Sequence, residues 1–117
     1  MNPQQISRNN HNVLLWEDRN QRNAQWNFVF NEQRNAYVIH NVLNPDLVLS
    51  ATTTGTSGNA FAYLFRGYND QFWIVDSTNN GYILRNFANR NLVLDVTNSG
   101  TNNGTNITVH PFHNGNN

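Results

Sequence analysis

The 117-residue chain contains no cysteine, so neither a disulfide framework nor a thiolate metal site is available to it. Charge is sparse and balanced. Seven Lys and Arg stand against seven Asp and Glu, and charged residues make up 12% of the chain. That balance supplies no electrostatic footprint for nucleic acid or for an anionic membrane surface. Long apolar runs are also missing: no stretch approaches the length of a spanning helix, and Met1-Asn2-Pro3-Gln4-Gln5 lacks the apolar core of a signal peptide. The expectation is a soluble chain, without membrane insertion, whose size suits one domain with a single modest core.

Asparagine is abundant, at about a fifth of the residues, which by itself would suit a disordered polar tract. Three Trp, four Tyr and seven Phe, spread along the whole length, oppose that reading because they supply enough apolar area to order the chain. The asparagines then read as turn residues and surface hydrogen-bonders.

Self-comparison reveals a repeat with a period of about 45 residues. Ala36-Tyr37-Val38-Ile39-His40-Asn41, followed by Asn44-Pro45-Asp46-Leu47-Val48-Leu49-Ser50, recurs as Gly81-Tyr82-Ile83-Leu84-Arg85-Asn86 and then Asn89-Arg90-Asn91-Leu92-Val93-Leu94-Asp95. A turn region rich in Gly, Asn, Thr and Ser follows each (residues 52–59 and 97–106), then a short apolar strand (61–65 and 107–112). Gln71-Phe72-Trp73-Ile74-Val75 closes the unit and is echoed earlier by Gln25-Trp26-Asn27-Phe28-Val29-Phe30. Period-2 alternation, with no helical periodicity in any long window, makes every element a strand and no helix longer than a turn. Trp26, Trp73, Tyr37, Tyr82, Ile39, Ile83, Leu49 and Leu94 are the expected core.

The expected fold class is therefore all-β: one domain over residues 1–117, with a partial repeat (1–35), a complete repeat (36–80) and a second partial repeat (81–117). Three copies favour closure around a pseudo-threefold axis, which removes exposed strand edges. Both outer copies are truncated. The opening strand of the first and the closing strand of the last would be neighbours in such a barrel, and either a longer polypeptide or segments of a partner would supply them.

The spacing of Leu94-Asp95-Val96, a Gly/Asn-rich loop, an apolar strand and a Gln-x-Trp element resembles the ricin B-type β-trefoil lectins over essentially the whole chain. Within that family, the stretch from Trp26 through Asn31-Glu32-Gln33-Arg34-Asn35 to Tyr37 is similar to the galactose-binding haemagglutinins of clostridial neurotoxin complexes. One departure is Ala24-Gln25-Trp26, a residue short of the spacing in Gln71-Phe72-Trp73.

A sugar site needs an aromatic face for the apolar side of the ring and a fixed carboxylate or amide for its hydroxyls. In the third copy Asp95 ends a strand, and Thr108 and His110, two apart on the next strand, share a face. The resemblance implies that Asp95 accepts hydrogen bonds from two vicinal hydroxyls and that His110 stacks on the ring. Thr108 and Asn117 would orient further hydroxyls, with Thr97 and Gly100 bordering the sugar. Family members usually carry Trp, Tyr or Phe where this chain has His110, so weak affinity is expected. The middle copy would offer a weaker second site from Phe65, Asp70 and Gln71, because Ser50 replaces the aspartate and a hydroxyl cannot accept two charge-assisted bonds. In the first copy, Trp16 and Asn23 are the corresponding candidates.

Catalysis requires a converging acid and base or an activated nucleophile. The carboxylates fall in different copies, which a pseudo-threefold arrangement holds apart, so no enzyme is expected. His11, His40, His110 and His113 do not form a metal-ligand spacing, and no cofactor or metal is expected. The reading is a secreted lectin for galactose-type glycans or glycoproteins, with no nucleic acid partner. The alternative is a protein-interaction adaptor of a toxin or other multi-protein complex whose sugar site has decayed. Agglutination would demand two working sites, from one chain or from a homo-oligomer.

Overall fold

The computed structural model describes residues 2–3, 11–14, 25–55, 57–79, 81–96 and 107–111, with only the backbone described at 2–3, 11–14, 95–96 and 107. Strands β1 (Asn2–Pro3) and β2 (His11–Leu14) form a first hairpin, and β3 (Trp26–Asn31) and β4 (Ala36–Asn41) a second. The same two kinds of hairpin then recur. Strands β5 (Leu47–Ala51) and β6 (Gly58–Leu64) match the first, while β7 (Trp73–Thr78) and β8 (Gly81–Asn86) match the second. Strands β9 (Leu92–Val96) and β10 (Ile107–Pro111) begin the cycle again. Each pairing is antiparallel, and one 3-10 turn, Asn69–Gln71, leads into β7.

The β4–β7 contact, through Tyr37 opposite Trp73, joins the two long hairpins into a barrel wall. Strands β2, β6 and β10, one from each of the other hairpins, meet side by side: β2 pairs with β6, and β10 pairs with the opposite end of β6. This is the cap of a β-trefoil, as expected from the repeat. Close approach within the cap depends on Gly58, where a Cβ would collide with the Thr52 carbonyl. The tight turn between β3 and β4 depends in turn on Asn35, which takes a left-handed φ of 52° that asparagine tolerates better than most residues.

The core lies where cap meets barrel. Ile39, Leu47, Leu49, Trp73, Leu92 and Val109 form one buried cluster, and each aliphatic side chain there contributes about 1.5–3 kcal/mol by leaving water. The Trp73 indole is fully buried and donates to the Leu49 carbonyl at 3.0 Å, so the largest core residue also ties the barrel to the cap. A second cluster of Ala36, Val38, Val48 and Phe72 packs outside the barrel wall. Trp26, Tyr37 and Leu94 pack half-buried against the first cluster, and Ile83 is buried.

Tyr82 departs from its expected place in the core, being 78% exposed. Its counterpart Tyr37 is held between Phe28 and Phe30, with ring centroids 5.9 and 5.1 Å away. Strand β7 offers Tyr82 only Val75 and Ser77 at the matching positions, and β9, on the other side of β8, pairs at Arg85 and not at Tyr82. The pseudo-threefold pattern calls for a third long hairpin between β8 and β3, and none is present among the described residues. Phe28 and Phe30, which face the barrel interior beside Trp26, are consequently 45% and 48% exposed.

Candidate functional site

Strand register decides which residues of the repeats are equivalent. In the middle repeat, Ser50 stands opposite Phe61 and Val48 opposite Tyr63. In the third, Asp95 stands opposite Thr108 and Val93 opposite His110. Position 95 thus corresponds to Ser50, Thr108 to Phe61 and His110 to Tyr63.

A cavity of about 350 Å³ opens at these positions in the middle repeat, with Ser50, Phe61, Tyr63, Tyr68, Asp70 and Gln71 among its walls. Phe61 and Tyr63 project from the same face of β6 and meet edge to face, with centroids 6.2 Å apart. Phe65, the expected aromatic member, does not line this cavity. Strand β6 ends at Leu64, and Phe65 instead packs against Phe72 and His40, at centroid distances of 5.9 and 6.4 Å. A constant period points to Phe65 because the β9–β10 loop is longer than the β5–β6 loop: His110 lies 15 residues after Asp95 but Tyr63 only 13 after Ser50, so strand register and not residue count identifies Tyr63.

Gln71 is fully buried and its amide is saturated. The oxygen accepts from the backbone N–H of Arg66 (2.9 Å) and Tyr68 (3.3 Å), while the nitrogen donates to the Leu64 carbonyl (2.9 Å) and to Ser50 Oγ (3.1 Å). The Ser50 hydroxyl donates to the Val48 carbonyl at 3.1 Å and is buried too. At the register position of Asp95 the middle repeat therefore has an internal strut. Asp70 lines the cavity half-buried and accepts from the Ala51 backbone N–H at 3.0 Å. Burial pushes its carboxyl above the ordinary carboxylate value, an effect the Ala51 bond opposes.

In the third repeat the Thr108 hydroxyl oxygen is buried and has no hydrogen-bond partner among the described residues, in contrast with Ser50. Thr108 and His110 alternate with buried Val109 along β10 and therefore share a face. Thr97, Gly100 and Asn117 lie outside the described residues, as do the side chain of Asp95 and, in the first repeat, Trp16 and Asn23. Among the described residues, no three His, Cys, Asp or Glu side chains come together as a metal site.

Cap hairpins arranged about a pseudo-threefold axis, with a shallow aromatic-walled cavity beside one of them, define the lectin class of β-trefoil. The Ricin-type beta-trefoil lectin domain-like family matches residues 22–110, and the chain belongs to that family. Three solved structures share the fold. A mosquitocidal holotoxin is 25% identical, with a TM-score of 0.88 over 96% of this chain, which spans only 14% of the toxin's length. A designed three-fold symmetric protein is 20% identical, with a TM-score of 0.87 over 98% of this chain and 83% of its own. The C-half of an earthworm R-type lectin, solved in complex with GalNAc, is 18% identical, with a TM-score of 0.60 over 92% of this chain and 75% of its own. No curated protein matches the chain.

Proposed function

We propose that the chain is a carbohydrate-binding domain whose principal site lies on the third repeat and accepts galactose-type glycans. The observation that carries this reading is the register equivalence between the walls of the middle-repeat cavity and Asp95, Thr108 and His110. Asp95 supplies at that place the carboxylate that the middle repeat has lost, and it would accept two vicinal hydroxyls, each such charge-assisted bond being stronger than a neutral one. His110 offers a smaller stacking platform than Tyr63, Thr108 brings an unpaired hydroxyl, and Thr97, Gly100 and Asn117 would complete the rim. The role is one of binding, not catalysis, and the setting an extracellular one like that of the clostridial haemagglutinins that the Trp26 to Tyr37 stretch resembles.

The test is a titration of galactose and lactose followed by protein NMR. Residues of the third-repeat site should respond with millimolar affinity in wild type, and Asp95→Ala should abolish the response of those residues. An unresponsive wild type would instead favour the adaptor reading, a domain docked within a larger toxin assembly. The locking of Ser50 by Gln71 and the holotoxin likeness support that second reading.

A further inference from the structure

The two boundaries between repeats are built alike but filled differently. At the boundary between the middle and third repeats, the Phe87 N–H donates to the Phe72 carbonyl at 2.9 Å. At the earlier boundary, the Val42 N–H donates to the Gln25 carbonyl at the same 2.9 Å. Likewise Arg85 reaches the Arg90 carbonyl at 3.0 Å, and His40 Nδ1 the Pro45 carbonyl at 2.7 Å. The backbone frames therefore coincide, and their side chains compare position by position.

At the later boundary the frame is packed. Phe72 and Phe87 lie 6.2 Å apart, Ile74 joins them, and Arg34 and Arg90 cover the rings at 4.2 and 5.1 Å. Asp76 holds Arg85 in an ion pair. At the earlier boundary Gln25 stands for Phe72, Asn27 for Ile74, Val29 for Asp76, His40 for Arg85 and Val42 for Phe87. What results is an open groove of about 580 Å³, walled by Gln25, Trp26, Asn27, His40, Val42 and Pro45 among others. An apolar plug has been exchanged for amides.

We infer that this groove is a second ligand site, for a neutral polyhydroxylated ring such as a pyranose, separate from the cap notches. Among the described residues the lining contains no Asp, Glu, Lys or Arg, so none of them selects a charged ligand. Amides both donate and accept, as hydroxyls require. The Pro45 carbonyl can only accept, which places the proton on His40 Nδ1 and leaves Nε2 of the neutral ring as an acceptor. Val42 and Pro45 supply apolar surface for the C–H face of a ring. The choice of ligand class rests on the lectin reading; the groove itself does not. Together with the third-repeat site it would make a single chain bivalent, the condition for avidity.

The experiment is a titration of isotopically labelled protein with galactose and with N-acetylgalactosamine, following the Trp26 indole N–H and the His40 ring. Saturable shifts at both should persist in Asp95→Ala. They should disappear in the double variant Gln25→Phe, Val42→Phe, which installs the aromatic pair of the other boundary. Asn27 is exposed, so Asn27→Ala should leave the fold intact and weaken the response about 5–10-fold, the loss of one hydrogen bond. The second site is refuted if Trp26 and His40 stay unmoved up to about 100 mM sugar, well above a millimolar dissociation constant, while residues around Asp95 respond. It is refuted equally if Asp95→Ala removes the Trp26 and His40 shifts. Silence at both places would sink the lectin reading as well.

Discussion

Gln71 Nε2 donates to Ser50 Oγ across 21 residues of chain, at 3.1 Å and out of contact with solvent. The bond makes Ser50, the register counterpart of Asp95, a joint between the β5–β6 hairpin and the 3-10 turn before β7. The same amide satisfies two backbone N–H groups and one carbonyl in the chain between Leu64 and Tyr68. A single side chain thus sets the shape of the loop that walls the cavity.

Replacing Gln71 with Leu keeps the approximate volume and leaves the Arg66 and Tyr68 N–H groups and the Leu64 carbonyl without their partner. Each buried polar group stranded in this way costs about 1–3 kcal/mol; part-exposed groups recover some of that from water, so a loss of about 3 kcal/mol is expected in urea unfolding. Ser50→Ala removes one neutral bond at each end of the joint and should cost about 1 kcal/mol. Equal losses in the two variants would show that Gln71 does not organise the loop.

The repeat, the all-β class and the pseudo-threefold arrangement were legible in the sequence because Trp26, Trp73, Tyr37 and the Leu-x-Leu strands are packing residues, and packing imposes a period. Asp95 and its strand neighbours were legible as candidates through the resemblance. Tyr63 was not, since loop length shifts the count on either side of a strand and only pairing with Ser50 restores it. Tyr82 misled for another reason. Its sequence context equals that of Tyr37, but burial is set by neighbours across the barrel that its own segment does not encode. The groove beside His40 was invisible too, because it comes from substitutions at positions far apart in the chain that meet only in three dimensions.

Asp70 should make stability depend on pH in the direction opposite to a salt-bridged carboxylate. Its folded-state value is raised by burial, so the folded chain holds the proton more tightly than the unfolded chain does. That contribution is fully present below the ordinary carboxylate value of 3.8 and is lost as pH rises through the raised value. Asp70→Asn, whose amide oxygen can still accept from the Ala51 N–H, should therefore be more stable than wild type at pH 7. The gap should close towards pH 3. Parallel urea unfolding at the two pH values measures it, and a gap that widens on acidification would mean that the Ala51 bond outweighs burial.

The edge at β3 carries the last prediction. Among the described residues β3 pairs only with β4, and its sequence, Trp26 to Asn31, contains no lysine, no proline and no charge, so it lacks the devices that keep sheet edges from pairing with other chains. Phe28 and Phe30 add exposed aromatic surface on the inward face, beside a still more exposed Tyr82 across the gap. Apolar surface gathered next to an unpaired backbone edge favours association. Sedimentation velocity over a concentration series should accordingly show wild type associating as protein concentration rises. Phe30→Lys places a charge on that edge and should shift the population towards monomer, with a stability cost of about 1 kcal/mol from the lost contact with Tyr37. If the variant associates as strongly as wild type, the β3 edge is not where the chains meet.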